Sequence, residues 1–312
     1  MQQLPPKFAL LVPCYNAAAY IDSFLENVSR LTNPFDEIIF YDDASADGTL
    51  TLLQKRGLHV IAGQINQGPG FARNQLALAT TCEYIHFHDI DDEFTPDFLS
   101  LVKKKFTETN ADVVLGYADW LDIWSRNLLI RWQYDEQEIK ADPLTYFITY
   151  PLGVINVVYN RDAFNTAGGF NTDINCWEDA DLHVKLAANK ASFAVINQVI
   201  AYSLRHDKGI SNNQTRCWNC RLIFLEQYLA KYAQAVSKKV FEQEIEKVKR
   251  AFLAMAAYSS FARLIGTAKK YSLNVPTGII TTLYYVDKIL PQATLNKMRD
   301  AYFKFKRRRF IK

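Results

Sequence analysis

Tyr84-Ile85-His86-Phe87-His88-Asp89-Ile90-Asp91-Asp92 sets a short apolar strand directly in front of three carboxylates, and the chain uses the same arrangement upstream. There Glu37-Ile38-Ile39-Phe40 leads into Tyr41-Asp42-Asp43-Ala44-Ser45, while a third acidic cluster, Trp177-Glu178-Asp179-Ala180-Asp181, begins a helical pattern. In open α/β sheets, ligands settle in the crevice beyond the carboxyl ends of the parallel strands. So many negative charges in one crevice repel one another unless a cation or hydrogen-bond donors share them. A divalent metal carrying a nucleoside diphosphate meets that demand, so the acids point to an activated phosphate ester.

Outward from these clusters the first half alternates strand and helix patterns. Strands are expected at 8–12, 37–41, 58–62, 84–87 and 112–116, with helices at 18–31, from Asp47 through Arg56, at 71–80 and after Thr95-Pro96. This order predicts a doubly wound, mostly parallel sheet. Residues 117–134 read as a hairpin turning at Ser125-Arg126-Asn127, residues 153–159 as a further strand and 178–188 as a helix. From about Thr215 the pattern is helical, broken by Pro276 and Pro291. Two domains follow, 1–214 and a helical extension over 215–312.

Composition narrows the classes. Of the 312 residues, 49% are hydrophobic and 22% charged, as in a soluble globular chain. There is no apolar run long enough to span a bilayer and no secretory pattern at the N-terminus, so a cytoplasmic protein is expected. Five cysteines at scattered positions argue against a disulfide framework. Cys217 and Cys220 form a lone CxxC, read as two ordinary helical thiols. The net charge of +3 hides an asymmetry: residues 252–312 hold twelve Lys/Arg against Asp287 and Asp300, leaving the rest acidic. In the tail, Tyr302-Phe303-Lys304-Phe305-Lys306-Arg307-Arg308-Arg309-Phe310 interleaves aromatics with cations. That composition suits an anionic membrane surface, at the inner face of the cell membrane. A nucleic-acid partner is not expected, because no nucleic-acid fold motif accompanies the tail.

Five segments carry a resemblance to family 2 glycosyltransferases, the inverting nucleotide-sugar enzymes of the GT-A fold. They are Leu11-Val12-Pro13-Cys14-Tyr15-Asn16-Ala17-Ala18, Asp42 through Thr49, Asn66 through Asn74, His88 through Asp92, and Gly168-Gly169-Phe170 followed by Glu178-Asp179. They cover roughly residues 8 to 211 in the family's order. The resemblance implies a GT-A-like α/β domain with a helical C-terminal extension. It also implies a donor site built from Pro13, Tyr15, Asn16, Asp42, Asp43, Asn66, Gly70, Arg73, Asp89, Asp91 and Arg205. This chain has Ala44 where the family commonly has glycine.

Each segment also has a physical role. Backbone near Tyr15 can meet a flat base, and a carboxylate can accept the imide N–H of uracil, which cytosine lacks. The resemblance places Asp43 on the base, with Asp42 the alternative; a UDP donor is expected, although guanine offers a similar N–H. Arg73 can offset the acids or grip a phosphate. Hard carboxylate oxygens suit Mn²⁺ or Mg²⁺, with Asp91 and Asp92 the expected ligands, to which the resemblance adds His206. Asp179 is expected to take the acceptor proton, with Glu178 orienting the acceptor and Trp177 stacking on a sugar ring. The acceptor expected is a glycan or a lipid-linked hydroxyl. Two other readings remain open: a non-catalytic nucleotide-binding or membrane-anchoring partner, and a sugar nucleotidyltransferase.

Overall fold

The computed structural model describes residues 5–174, 176–205 and 213–309; of these, the side chains of residue 299 and residues 302–309 are not described. His206 and the end of the tail therefore lie outside the described residues, as do the tail's aromatic and basic side chains. The chain divides into two compact units, 1–209 and 210–312.

In the first unit the described residues form nine strands: β1 (Phe8–Cys14), β2 (Glu37–Asp42), β3 (Val60–Ala62), β4 (Tyr84–Phe87), β5 (Glu93–Phe94), β6 (Val113–Asp122), β7 (Leu128–Trp132), β8 (Val157–Asn160) and β9 (Phe193–Arg205). They make one sheet in the order β3-β2-β1-β4-β8-β6-β9-β5, with β7 paired to β6. β1 is parallel to both β2 and β4, and β2 to β3. β8 runs against both β4 and β6, and β6 is parallel to β9, so six strands share one direction. This is the mostly parallel sheet expected, but β9 and β5 extend it beyond the strands legible in the sequence.

Register decides where the loops emerge. Cys14 is level with Asp42, and Leu11 with Phe87, so β1, β2 and β4 end along one edge. All three acid-bearing or loop-bearing turns thus leave the sheet on the same side. β1 is almost wholly buried, which is why it reads as a continuous apolar run rather than an alternating one. The helix Pro69–Ala79 packs on β1 and β2 through Ala72 and Leu76. Aromatics fill the other layer: Phe24 meets Phe40 edge-on at 6.0 Å, and Tyr84 lies 4.7 Å from Phe8 and 4.1 Å from Phe106. Each fully buried phenylalanine contributes on the order of 1.5–3 kcal/mol.

The structure differs from the sequence expectations in the middle of the chain. The strand expected at 153–159 begins at Val157, because residues 151–156 form a loop. Two short helices, Glu136–Ala141 and Pro143–Thr149, start at Asp135 and Asp142, whose side chains accept from Gln137, Glu138 and Thr145 amides. The helix after Thr95-Pro96 begins at Phe98. Tyr202–Arg205 ends β9. In the second unit, helices include Gln214–Tyr232, Lys238–Ala254, Phe261–Lys270, Gly278–Val286 and Gln292–Arg309. Arg221 there pairs with Glu244 at 2.8 Å, both buried. Cys217 keeps its thiol, but Cys220 is disulfide-bonded, so the expectation of two ordinary thiols fails for Cys220. No described helix is long and apolar enough to cross a membrane.

The pairing of β6 with β9 shifts register around Gly116 and Tyr117. A methyl on Gly116 would sit 2.6 Å from Ile200 Cδ1, inside a fully buried side chain. Gly116→Ala is therefore expected to destabilise the protein by about 1–3 kcal/mol through overpacking. Ile200→Val should recover part of that loss in the double variant. Urea titration of the four proteins reads both effects, and additive losses would show that the two sites do not clash.

Candidate active site

Arg73 lies on the second turn of the helix Pro69–Ala79, where the helix faces the sheet edge, and it is 4% exposed. Its Nη2 donates to Asp89 Oδ1 at 2.7 Å and its Nη1 to Glu178 Oε1 at 2.9 Å. The guanidinium carbon also lies 5.4 Å from the centre of the Phe170 ring. One cation thereby joins three separated motifs. Burial alone would lower the guanidinium pKa, but Asp89 and Glu178 override it and raise it. The carboxylates need the charge as much as it needs them, since an unpaired buried charge costs several kcal/mol.

Asp179 follows Glu178 at the start of the helix Glu178–Ala188. Burial and the neighbouring Glu178 charge raise its carboxyl to about 7, although Arg73 and the Ala180 amide, 2.7 Å from Oδ1, act in the opposite direction. A carboxyl poised near neutrality is suited to exchange a proton during a reaction. Trp177, the cap of this helix, has φ 73°, a left-handed conformation costly for a bulky side chain. Among the described residues, a Cβ at Gly153 would have only Asp179 Oδ2, at 3.9 Å, within 4 Å.

The loops after β1 and β2 are tied to each other by polar side chains. Asn16 N–H donates to Ser45 Oγ, and Ala46 N–H returns a bond to Asn16 Oδ1, each at 2.9 Å. Ala17 and Ala18 amides donate to Thr49 Oγ1 and Asp47 Oδ2. Pro13 sits at the end of β1, one residue before its last, while Tyr15 stands 54% exposed beside this clamp. Ala44 adopts φ 59°, so the geometry that glycine would take freely is reached here by alanine.

The two adjacent aspartates have different surroundings. Asp43 accepts from Gln67 N–H with both carboxylate oxygens, at 3.0 and 3.1 Å, and from Gly68 N–H at 2.7 Å. It fixes the Asn66–Gly70 turn at the start of the helix carrying Arg73. Asp42 accepts from Ser45 N–H through Oδ2, whereas its buried Oδ1 has no hydrogen-bond partner among the described residues. A buried carboxylate oxygen without a donor is costly unless a ligand supplies one.

In the acidic turn after β4, Asp89 is part-exposed and held by Arg73, and Asp91 is half-buried. Asp92 turns inward: its Oδ1 accepts from Leu204 N–H at 2.8 Å, and burial followed by the charges of Asp91 and Asp89 raises its pKa well above the usual range. Asp92 thereby ties this turn to the end of β9. Arg205, the last residue of β9, lies 4.3 Å over the Trp120 ring. Among the described residues no cluster of three or more His, Cys, Asp or Glu forms a metal cage. That donor set still fits a diphosphate-borne Mn²⁺ or Mg²⁺, which takes one or two carboxylates and completes its shell with phosphate and water.

Three contacts had no sequence signal beyond residue type. Asn74 clips the Phe170 backbone, donating to its carbonyl and accepting from its amide, both at 2.9 Å. Lys185 Nζ donates to the Gly169 carbonyl at 2.5 Å. Below the acidic turn, His86 Nδ1 lies 2.7 Å from the Val157 carbonyl and its Nε2 lies 3.1 Å from His88 Nδ1. A carbonyl only accepts, so His86 carries its proton on Nδ1 and His88 donates to it. Burial lowers both pKa values, that of His88 to about 3. The pair is neutral and supplies no charge to the acids above it.

Arg73→Met should leave Glu178 and Asp89 facing each other uncompensated, at a cost of about 3–5 kcal/mol in unfolding free energy. Arg73→Lys keeps the charge but cannot reach both acids in fork geometry, so an intermediate loss is expected. Guanidinium unfolding at pH 7 measures both, and a stable Arg73→Met protein would remove Arg73 as the link.

Residues 9–163 match the family described as glycosyl transferase family 2. Over 104 residues the chain is 33% identical to the Bacillus subtilis glycosyltransferase TuaG, assigned to teichuronic acid biosynthesis, a stretch covering 32% of this chain and 41% of TuaG. Among solved structures, S. aureus TarS 1–349 in complex with UDP-GlcNAc superimposes with a TM-score of 0.66 at 16% identity, covering 96% of this chain and 92% of that one. The mannosyltransferase PcManGT of Pyrobaculum calidifontis, in complex with GDP-Man and Mn²⁺, gives a TM-score of 0.56 at 16% identity, over 96% and 85% of the two chains. A parallel-sheet edge carrying the family's motifs in order, on the GT-A fold, identifies the chain as a glycosyltransferase of family 2.

Proposed function

We propose that this glycosyltransferase moves a sugar, with inversion, from a uridine diphosphate donor to a hydroxyl of a glycan or lipid-linked acceptor. The observation that carries the reading is the Asp179 carboxyl, held near neutrality beside the Arg73–Glu178–Asp89 assembly. Inversion by direct displacement requires one carboxylate to remove the acceptor proton as the hydroxyl attacks the anomeric carbon. Asp179 performs that step, with its Oδ2 set towards the Gly153 loop. Glu178, already bonded to Arg73, is too committed to serve as the base and instead fixes the start of the helix. Trp177, bent into its unusual backbone conformation at that start, offers an apolar face to an acceptor ring.

On the donor side, Asp42 Oδ1 takes the imide N–H of the base, since Asp43 is occupied by Gln67 and Gly68. Tyr15, the residue after β1, supplies an exposed ring along the same sheet edge. Asp89 and Asp91 face the ribose and diphosphate, with Asp91 the residue that would hold a Mn²⁺ or Mg²⁺. Such a metal, when bound, acts as a Lewis acid stabilising the departing diphosphate. Asp92 shapes the turn from within rather than ligating, because its carboxyl is buried and bonded to Leu204. Arg205, the last residue of β9, is the remaining donor-side cation in this reading. The Mn²⁺ in PcManGT and the UDP-sugar in TarS support this choice of donor and metal.

The base assignment has a pH signature. With the carboxyl at about 7, kcat/KM for UDP release from a panel of UDP-sugars should rise about tenfold per pH unit below 7 and level off above it. The sign follows because only the deprotonated carboxylate accepts a proton. Asp179→Asn should lower turnover by roughly 10²–10⁴-fold while leaving UDP-sugar affinity within a few-fold. A profile that keeps its acid limb in Asp179→Asn would give the titration to another group.

Calorimetric titration with UDP separates the two donor-side roles. Asp42→Asn should weaken UDP by roughly 10–100-fold with or without Mn²⁺, the scale of one charge-assisted hydrogen bond. Asp91→Asn should instead remove only the increment that Mn²⁺ adds. Equal metal response in wild type and Asp91→Asn would exclude Asp91 as the ligand.

A further inference from the structure

The β6–β7 hairpin carries a row of apolar side chains that the donor and acceptor chemistry does not use. Trp124 at its turn is 85% exposed, and Leu128, Leu129 and Ile130 on β7 are 52, 54 and 44% exposed. Three of the chain's five tryptophans, Trp120, Trp124 and Trp132, lie within this hairpin. β7 pairs only with β6 among the described strands, so its other edge presents main-chain N–H and C=O groups without a ladder partner. Soluble proteins normally blunt such an edge with lysine, proline, an inward charge or a covering element. β7 contains no lysine or proline. Its one charge, Arg131, is already held in cis by both carboxylate oxygens of Asp119, at 2.7 Å each. Arg126 at the turn is likewise held by Glu93.

We propose that β7 is a self-association edge: two copies of this chain pair β7 with β7, antiparallel about a two-fold axis through Ile130, and join their sheets. The sequence of β7 is complementary to itself in that register. Ile130 faces Ile130, Leu128 faces Trp132, and Leu129 faces Arg131, whose charge Asp119 has neutralised within its own copy. No lone charge enters the interface, and one face of the new ladder is entirely apolar, the arrangement that stabilises cross-strand pairs. A second strand satisfies the edge amides and carbonyls, which a lipid surface does not. A C2 interface also requires one patch to match itself, which this strand does.

Two measurements on the full-length protein test the pairing. Light scattering during size-exclusion chromatography should show the mass rising from one chain towards two as concentration increases. Ile130→Lys, which sets two lysines face to face at the axis on an already exposed position, should return the mass to one chain without changing the circular dichroism spectrum. Ile130→Cys should form a disulfide-linked dimer on mild oxidation, in excess over wild type, because paired antiparallel residues sit about 4.5–5.5 Å apart at Cα. A protein that stays monomeric throughout overturns the proposal. So does a dimer that survives Ile130→Lys and gives no cross-link in the Ile130→Cys variant, since the contact then lies elsewhere. Flotation with anionic vesicles that is lost in Ile130→Lys, from a protein monomeric in solution, assigns the hairpin to a lipid surface and likewise overturns it.

Discussion

The site depends on one buried guanidinium held between two carboxylates from distant parts of the chain. Arg73 comes from the helix packed on β1 and β2, Asp89 from the turn after β4 and Glu178 from a helix that starts 105 residues beyond Arg73. The guanidinium is buried and would be costly without a counter-charge, and buried Glu178 and part-exposed Asp89 supply it from two sides. Their mutual requirement fixes the distance between the donor-side turn and the acceptor-side helix. Asp179 inherits its raised carboxyl from that arrangement: it is the acid left over once Glu178 is paired, in the same desolvated corner.

Around this link the remaining polar groups hold loops rather than meet solvent. Asp43 organises the Gln67–Gly68 turn that delivers Arg73, and Asn74, one residue on, grips the Phe170 backbone. The helix Pro69–Ala79 is thus fixed at its start and along a polar face, with the apolar side against β1 and β2. Asp92 ties the acidic turn to β9 in the same manner. Adjacent acids therefore act differently. Asp43 takes two amides from the Gln67–Gly68 turn and Asp42 takes one from Ser45, whereas in the Asp89–Asp92 turn Asp92 holds the backbone and Asp89 and Asp91 stay part-exposed. The site also carries local cost, at the Asp42 oxygen that has no partner among the described residues and at the left-handed Ala44 and Trp177.

Much of the fold was legible because local patterns and tertiary structure agree there. β1, β2 and β4 are short apolar runs ended by turn residues, and the acids that follow them mark the carboxyl edge; parallel register then brings those turns together. The helix at 178–188 and the hairpin at 117–134 also follow from periodicity and turn residues. β9 did not, although it is the longest of the described strands. Its apolar residues are interrupted at Asn197-Gln198, where the pairing with β6 shifts register, and this breaks the alternation on which sequence reading relies. The short helices after Asp135 and Asp142 are likewise too brief to show a helical period.

The sequence by itself determined the residue types available to the site, their order and the family they resemble, because motif spacing and strand endings are local properties. Which carboxylate does what was decided only by tertiary structure. Asp42 and Asp43 are equivalent in sequence, yet Asp43 faces two amides from a loop 24 residues away, while one Asp42 oxygen has no partner among the described residues. Glu178 and Asp179 are equally adjacent, yet Arg73 pairs with one and leaves the other to be raised by burial. Charge, burial and hydrogen-bond partners are set by chain segments far apart in sequence, and a proton affinity is a property of those surroundings rather than of the residue.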